Sequence, residues 1–230
     1  MRDSDTMLSN HSYQGILFDF DGVLSQSMDD NFKAWQATAA EYGITIKGED
    51  YFPLEGMPVK DVVVNLFQLY GKSISDVEKV ARLKDDFYLK FNQFKLYPGV
   101  TTLIDILVDN RIPIGIVTGA QKARILATVP KVFIEKFNAL VTGDMTLKGK
   151  PFPDPYLLGS ELLGIPPEHC IVVENAPLGI QAAKTCKTYC IAICSTLESS
   201  FLQEANLIVE SFEQLLNLDV INVLLENSQN

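Results

Sequence analysis

The sequence predicts an α/β fold: a mainly parallel sheet with helices on both faces, plus a helical domain inserted after the first strand. Three observations carry this. Short apolar runs of strand length alternate with longer stretches of helical periodicity, the pattern of right-handed crossovers between parallel strands. One gap in that alternation, between the first two strands, is several dozen residues long and itself helical in pattern. The 230 residues are 47% hydrophobic and 21% charged, enough apolar material for one large domain or one domain with a sizeable insertion.

The first strand is Ile16-Leu17-Phe18. Further strands are expected at 112–117, 139–141, 170–173, 191–193 and 207–209, with helices at 99–110, 121–128, 155–163, 178–186 and 212–226. Within the insertion, Phe32, Trp35 and Ala39 recur at helical spacing, Tyr51-Phe52-Pro53 punctuates, and 61–70 and 77–94 read as helices. A connection of this length is usually functional, and its place just after the first strand makes it a cover for the strand ends. The aromatic stripe is expected to pack rather than to bind a ligand. Met1 to Ser12 and Glu226 to Asn230 are expected to fray.

Bulk properties narrow the function. A formal charge of −10 argues against a nucleic-acid polymer as partner, although a pocket on an acidic protein can still be cationic. The polar N-terminal dozen lacks a signal-peptide core, and no apolar run approaches the roughly 18 residues of a membrane span. A soluble, cytoplasmic protein is expected. Cys186, Cys190 and Cys194 repeat every fourth residue, but the segment 189–194 has a strand pattern and no Cys-x-x-Cys accompanies it. With Cys170, they are expected to be reduced core or near-core thiols rather than zinc ligands.

Four segments fall where strands give way to turns, and parallel sheets place ligands there. Asp19-Phe20-Asp21-Gly22-Val23 sets two carboxylates two residues apart, on one side of an extended chain, within reach of one centre. Mutual repulsion favours one as nucleophile or metal ligand and the other as proton donor; Asp-x-Asp-Gly is also ordinary turn chemistry. Thr118-Gly119-Ala120 offers a hydroxyl and backbone N–H groups to an anion, or a helix cap. Lys150, among Pro151, Pro153 and Pro155, is either a placed charge or a solvated lysine. Glu174 and Asn175 supply oxygen ligands suited to magnesium, or a cap before Pro177.

Taken together, these motifs resemble the haloacid dehalogenase superfamily, in its capped phosphatase and β-phosphoglucomutase-like branch. The matching residues are Asp19 to Leu24, Val117-Thr118-Gly119, Lys150 to Asp154 and Val173 to Ala183, in order and at matching spacing, from about Gly15 to Glu210. The resemblance implies a Rossmann-like catalytic core (13–27 and 96–230) and a helical cap domain (28–95). It implies a Mg2+-dependent phosphomonoester hydrolase acting on a small phosphorylated metabolite, such as a sugar phosphate. Asp19 would be the nucleophile that becomes an aspartyl phosphate, and Asp21 the acid and then the base. Thr118 and Gly119 would bind the phosphoryl group. Lys150 would balance its charge. Asp19, the Asp21 backbone carbonyl, Glu174 and Asn175 would hold the metal. Asp21 separates this chain from dehalogenases and phosphonatases, which lack an acid there. No Gly-x-x-x-x-Gly-Lys-Ser/Thr loop or Gly-x-Ser-x-Gly elbow is present.

Several positions depart from the family pattern. Asn175 replaces an aspartate, Asn31 a histidine, Glu55 a lysine and Val59 an arginine; Gln26-Ser27 stands for an Asp-Ser or Asp-Thr pair, and Lys187 for a glycine. The missing cap cations favour a phosphatase over the alternative, a β-phosphoglucomutase-like isomerase. The neutral Asn175 leaves a further alternative, an impaired phosphoryl-binding protein. The segment Leu54-Glu55-Gly56-Met57 is the candidate specificity face.

Overall fold

The computed structural model describes residues 12–227. Of the two segments expected to fray, only Ser12, Glu226 and the backbone of Asn227 fall within them. The chain opens with β1 (Gly15–Phe18), whose four residues are all buried. A helical insertion follows: α1 (Met28–Ala40), the short α2 (Gly48–Tyr51), α3 (Val59–Leu69) and α4 (Val77–Phe91). The chain then returns through α5 (Val100–Asp109) and β2 (Ile114–Val117), α6 (Lys122–Thr128), α7 (Lys131–Ile134) and β3 (Ala139–Val141). It continues with α8 (Asp154–Leu163), β4 (Cys170–Glu174), α9 (Pro177–Thr185), β5 (Tyr189–Ile193) and β6 (Leu207–Val209), then α10 (Phe212–Leu216) and α11 (Asp219–Asn227).

The described strands form one parallel sheet in the order β3-β2-β1-β4-β5-β6. Strands buried on both faces read as unbroken apolar runs, and alternate residues serve opposite layers. Ile16 and Phe18 pack with Ile116, Val173 and the α5 residues Leu103 and Leu107. Leu17 packs on the other face with Val117, Val172, Tyr156 and Ile180. The insertion has its own apolar cluster, built on Trp35, Tyr51, Val63, Leu66, Phe67 and Val80. The two segments that connect it to the sheet pair antiparallel with each other at Ser25 and Leu96: the Gln26 N–H donates to the Lys95 carbonyl at 2.8 Å, and the Tyr97 N–H to the Leu24 carbonyl at 3.2 Å.

Two expected elements differ. The stretch expected as one helix over 212–226 is broken into α10 and α11. The Asn217 amide donates to the Glu213 carbonyl at 2.8 Å, the acceptor that the Asn217 N–H would use in a continuing helix. That N–H turns back to Gln214 instead. The second strand begins at Ile114 rather than 112, since Pro113 has no N–H to give a ladder; its carbonyl accepts from Ile16 at 3.0 Å.

The register places the site. Phe18 pairs with Val173 on one side and Ile116 on the other. Asp19 and Glu174 therefore leave adjacent strands side by side, with Thr118 at the end of the next. β1 and β4 flank the point where connections diverge to opposite sides of the sheet, which opens a crevice at the strands' carboxyl ends.

Candidate active site

Lys150 is the hub of the crevice. Its ammonium donates to Asp19 Oδ1, to Glu174 Oε1 at 2.6 Å and to the Val117 carbonyl at 3.2 Å. It is buried along with both acids, so it is a placed charge and not a solvated one. Burial alone would lower the Lys150 pKa, but the two carboxylates outweigh it and raise it. Asp19 is pushed up to about 8. Burial is the main cause, opposed by Lys150 and reinforced by Glu174. Two carboxylates share one ammonium, so ionised Asp19 has no full counter-charge of its own without a second cation.

Glu174 is held on every side. Oε1 also accepts from the Tyr156 hydroxyl at 2.7 Å, and Oε2 accepts from the backbone N–H groups of Asn175 and Ala176 at 2.9 and 3.2 Å. Those N–H groups lie at the start of α9, where orphan donors face an anion. A side chain on Gly179 would meet Glu174 Oε1 at 1.8 Å, so the glycine makes room for the carboxylate. The Asn175 amide donates to the Thr196 hydroxyl at 2.9 Å, and Ala176, not Asn175, occupies the cap position of α9. Gly22, at φ +83°, passes so close that a Cβ there would lie 2.2 Å from the Asn175 amide nitrogen.

Thr118 is buried, and its hydroxyl accepts from the Ala120 N–H at 3.1 Å. A Cβ on Gly119 would meet the carbonyls of Met57 and Gly56 at 2.8 and 3.0 Å. The 54–57 segment of the insertion is thus seated directly on the strand-end loop. The structure brings Asp19, Asp21, Thr118, Gly119, Glu174 and Asn175 to the wall of one cleft, with Lys150 at its base.

Three further groups had no role from the sequence. Arg124 grips the Asp21 carboxylate with both terminal nitrogens. Burial would raise Asp21, but the Arg124 charge and hydrogen bonds, with a bond from Ser27, hold it below the ordinary range. Lys84 of α4 is buried and donates to Asn31 Oδ1 at 2.7 Å. Burial and neighbouring Arg124 pull it down to about 8, against Asp85 and Asp21. Tyr156 fixes Glu174, as above. The sequence offers no signal that separates buried Arg124 from exposed Lys122 two residues earlier on α6.

Glu55 also lines the cleft, and its Oε1 is buried with no hydrogen-bond partner. Burial pushes its carboxyl up to about 8; a bond from Tyr51 opposes this, and Asp21 and Asp19 add to it. The sign follows. Folded protein keeps a proton that unfolded chain releases between about pH 4.5 and 8, so this group makes stability fall as pH rises through that window. Glu55→Gln cannot titrate. It is expected to gain on the order of 2–3 kcal/mol over the natural chain between pH 5 and 7.5, at about 1.4 kcal/mol per unit of pKa shift. Urea unfolding of both proteins at the two pH values measures this; parallel profiles would show that Glu55 is solvated.

The donors at the crevice fit a magnesium ion. No cluster of three or more acid, histidine or cysteine side chains suited to a metal is found among the described residues. The crevice offers the Asp19 and Glu174 carboxylates, the Asp21 carbonyl and the Asn175 amide. Few carboxylates plus neutral oxygens, with room for water and a phosphate, is the set magnesium takes, and two acids on the single Lys150 ammonium leave one that a cation would help ionise. All four cysteines are free, and three are buried. No described helix is long and apolar enough to cross a membrane.

Comparison with known proteins agrees with this geometry. The chain is 30% identical to hexitol phosphatase A of Escherichia coli over 204 residues, 88% of this chain and 93% of that one. It is 26% identical to β-phosphoglucomutase of Bacillus subtilis over 189 residues, 78% and 83% of the two chains. The crystal structure of a hydrolase from Pseudomonas syringae superposes with a TM-score of 0.82 at 25% identity, covering 89% of this chain and 96% of that one. The haloacid dehalogenase-like hydrolase model matches residues 16–193. With Asp19, Thr118, Lys150 and Glu174 converging within that span, the chain belongs to the haloacid dehalogenase-like hydrolase family.

Proposed function

We propose that this protein is a magnesium-dependent phosphatase that hydrolyses a small phosphorylated carbohydrate or polyol through an aspartyl phosphate on Asp19. The observation that carries the reading is the Asp19–Lys150–Glu174 cluster at the divergence point of the sheet, roofed by the 54–57 segment. In this reading residues 13–27 and 96–230 are the catalytic core and 28–95 the cap. The free cysteines suit a reducing, cytoplasmic setting.

Asp19 attacks phosphorus and releases the alcohol. Asp21, ionised at rest by its pair with Arg124, takes up a proton that arrives with the phosphate monoester and passes it to that alcohol, and then takes one from the water that opens the acyl phosphate. The Thr118 hydroxyl and the Gly119 N–H hold phosphoryl oxygens, and Lys150 offsets the charge between them and Asp19. Asp19, the Asp21 carbonyl and Asn175 would hold magnesium, with Glu174 supplying the second negative charge beside it. Magnesium, when bound, would neutralise phosphoryl oxygens and let an anionic nucleophile approach. Sequestration under the 54–57 segment keeps bulk water from the reaction.

Glu55 stands where the mutase branch carries a lysine, so the cap offers an acid where a second phosphate would need a cation. This favours the phosphatase over the mutase. The test is phosphate release from hexitol, hexose and glycerol phosphates and nucleoside monophosphates, with magnesium and with EDTA. Release from polyol or sugar phosphates that EDTA abolishes is expected. Conversion of glucose 1-phosphate to the 6-phosphate without net phosphate release would favour the mutase.

Ligand charge tunes affinity for hard cations, and an aspartate at position 175 can still pair with Thr196, whose hydroxyl can donate as well as accept. Asn175→Asp is expected to bind magnesium several-fold more tightly in calorimetric titration at fixed pH and ionic strength. Unchanged affinity would restrict Asn175 to bracing Thr196 and Gly22.

A further inference from the structure

The carboxylate assigned to proton transfer is held by a residue outside the four motifs. Arg124 Nη1 donates to Asp21 Oδ1 at 3.2 Å, and Nη2 donates to Oδ2. Oδ1 also accepts from the Ser27 hydroxyl at 2.6 Å and the Asn31 amide at 3.1 Å. A guanidinium gripping both oxygens fixes the plane and direction of a carboxylate, which a lysine point charge does not. Side-chain exposure is 3% for Arg124 and 17% for Asp21, so the carboxylate is the more open of the two where both line the cleft.

Arg124 is itself held by the insertion. Its guanidinium carbon lies 4.5 Å from the ring centre of Tyr88 on α4. One turn earlier on that helix, Lys84 donates to Asn31, which in turn donates to Asp21. Two chains of contacts therefore run from α4 to a single carboxylate, one through Arg124 and one through Asn31.

The geometry points to Arg124 as a positioning residue: it sets the direction of the Asp21 carboxylate towards the leaving group, and its stacking on Tyr88 makes that direction depend on the docking of α4. The inference rests on the phosphatase reading above. A buried ion pair that only stabilised the fold would affect all substrates alike. One that aims a proton donor matters most where the leaving oxygen needs a proton.

The experiment compares kcat/KM, which reports the steps through ester cleavage, for p-nitrophenyl phosphate and sorbitol 6-phosphate. Nitrophenolate leaves with little help, whereas the alkoxide requires protonation. Arg124→Gln is expected to lose at least about tenfold more on the alkyl ester than on the aryl ester, the same selectivity as Asp21→Asn. Arg124→Lys should fall between Arg124→Gln and the natural enzyme. Tyr88→Leu should shift the ratio in the same direction by less, and it decides the matter if Arg124→Gln fails to fold. Equal losses on both esters would overturn the assignment while leaving the phosphatase reading intact. A natural enzyme that hydrolyses neither ester would overturn both.

Discussion

Asp19→Asn is expected to lower phosphate release by at least about 10⁴-fold while the protein stays folded. The amide matches the carboxylate in shape but is a poor nucleophile, and positioning by the remaining residues cannot replace the covalent partner. The fold should tolerate the change because Asp19 is one of two carboxylates on a single buried ammonium. Glu174 still pairs with Lys150 at 2.6 Å, and burial already disfavours ionised Asp19, whose pKa is pushed up to about 8. Steady-state release of inorganic phosphate, with deamidated product excluded by mass spectrometry, measures the loss; urea unfolding measures the stability. Activity near that of the natural enzyme would remove Asp19 as nucleophile.

Lys150→Met is expected to damage both stability and activity. The lysine side chain is 1% exposed, and its partners Asp19 and Glu174 are 8% and 1% exposed. Removing it leaves two carboxylates facing each other without a counter-charge. Breaking a buried pair on one side costs about 3–5 kcal/mol, because the uncompensated charge stays behind. Asp19 would also hold its proton more tightly without the ammonium, and a protonated carboxyl does not attack phosphorus. The double variant Lys150→Met with Glu174→Gln separates the two effects. Removing one of the stranded acids should restore at least half of the lost stability in urea and none of the activity. A single variant as stable as the natural protein would show that Lys150 does not bridge the two acids.

The parts of this molecule that were legible in the sequence are those where a local rule and the global fold agree. The run Ile16-Leu17-Phe18 is buried because a central parallel strand is covered on both faces, and Asp19 follows at its carboxyl end because ligand crevices open there. Asp19, Thr118, Lys150 and Glu174 stood out by position at strand ends or among prolines, and all of them reach one crevice. Leu54-Glu55-Gly56-Met57 stood out as the candidate specificity face, and its backbone sits on Gly119. What stayed hidden depends on distant packing. Arg124 and Lys122 share a short helix; one is buried and the other exposed because Tyr88, thirty-odd positions earlier in the chain, covers the guanidinium. Lys84 lay on a helix whose pattern showed only which face is apolar. The hydroxyl of Tyr156 reaches Glu174 across the interface between α8 and β4, a contact that helical spacing does not reveal. The break at Asn217 turns on one side-chain amide capturing one carbonyl, and asparagine within a helix often points to solvent instead.

The central claim is that Asp19 carries the phosphoryl group between the two halves of the reaction. Rapid quenching during turnover of p-nitrophenyl phosphate with magnesium, followed by borohydride reduction and peptide mass spectrometry, tests it directly, since an acyl phosphate is reduced to the alcohol whereas a free carboxylate is not. The account predicts homoserine in place of aspartate at position 19, seen only while substrate turns over and lost when EDTA is present. Steady phosphate release with an unmodified Asp19 peptide, or reduction at Asp21 instead, would contradict it.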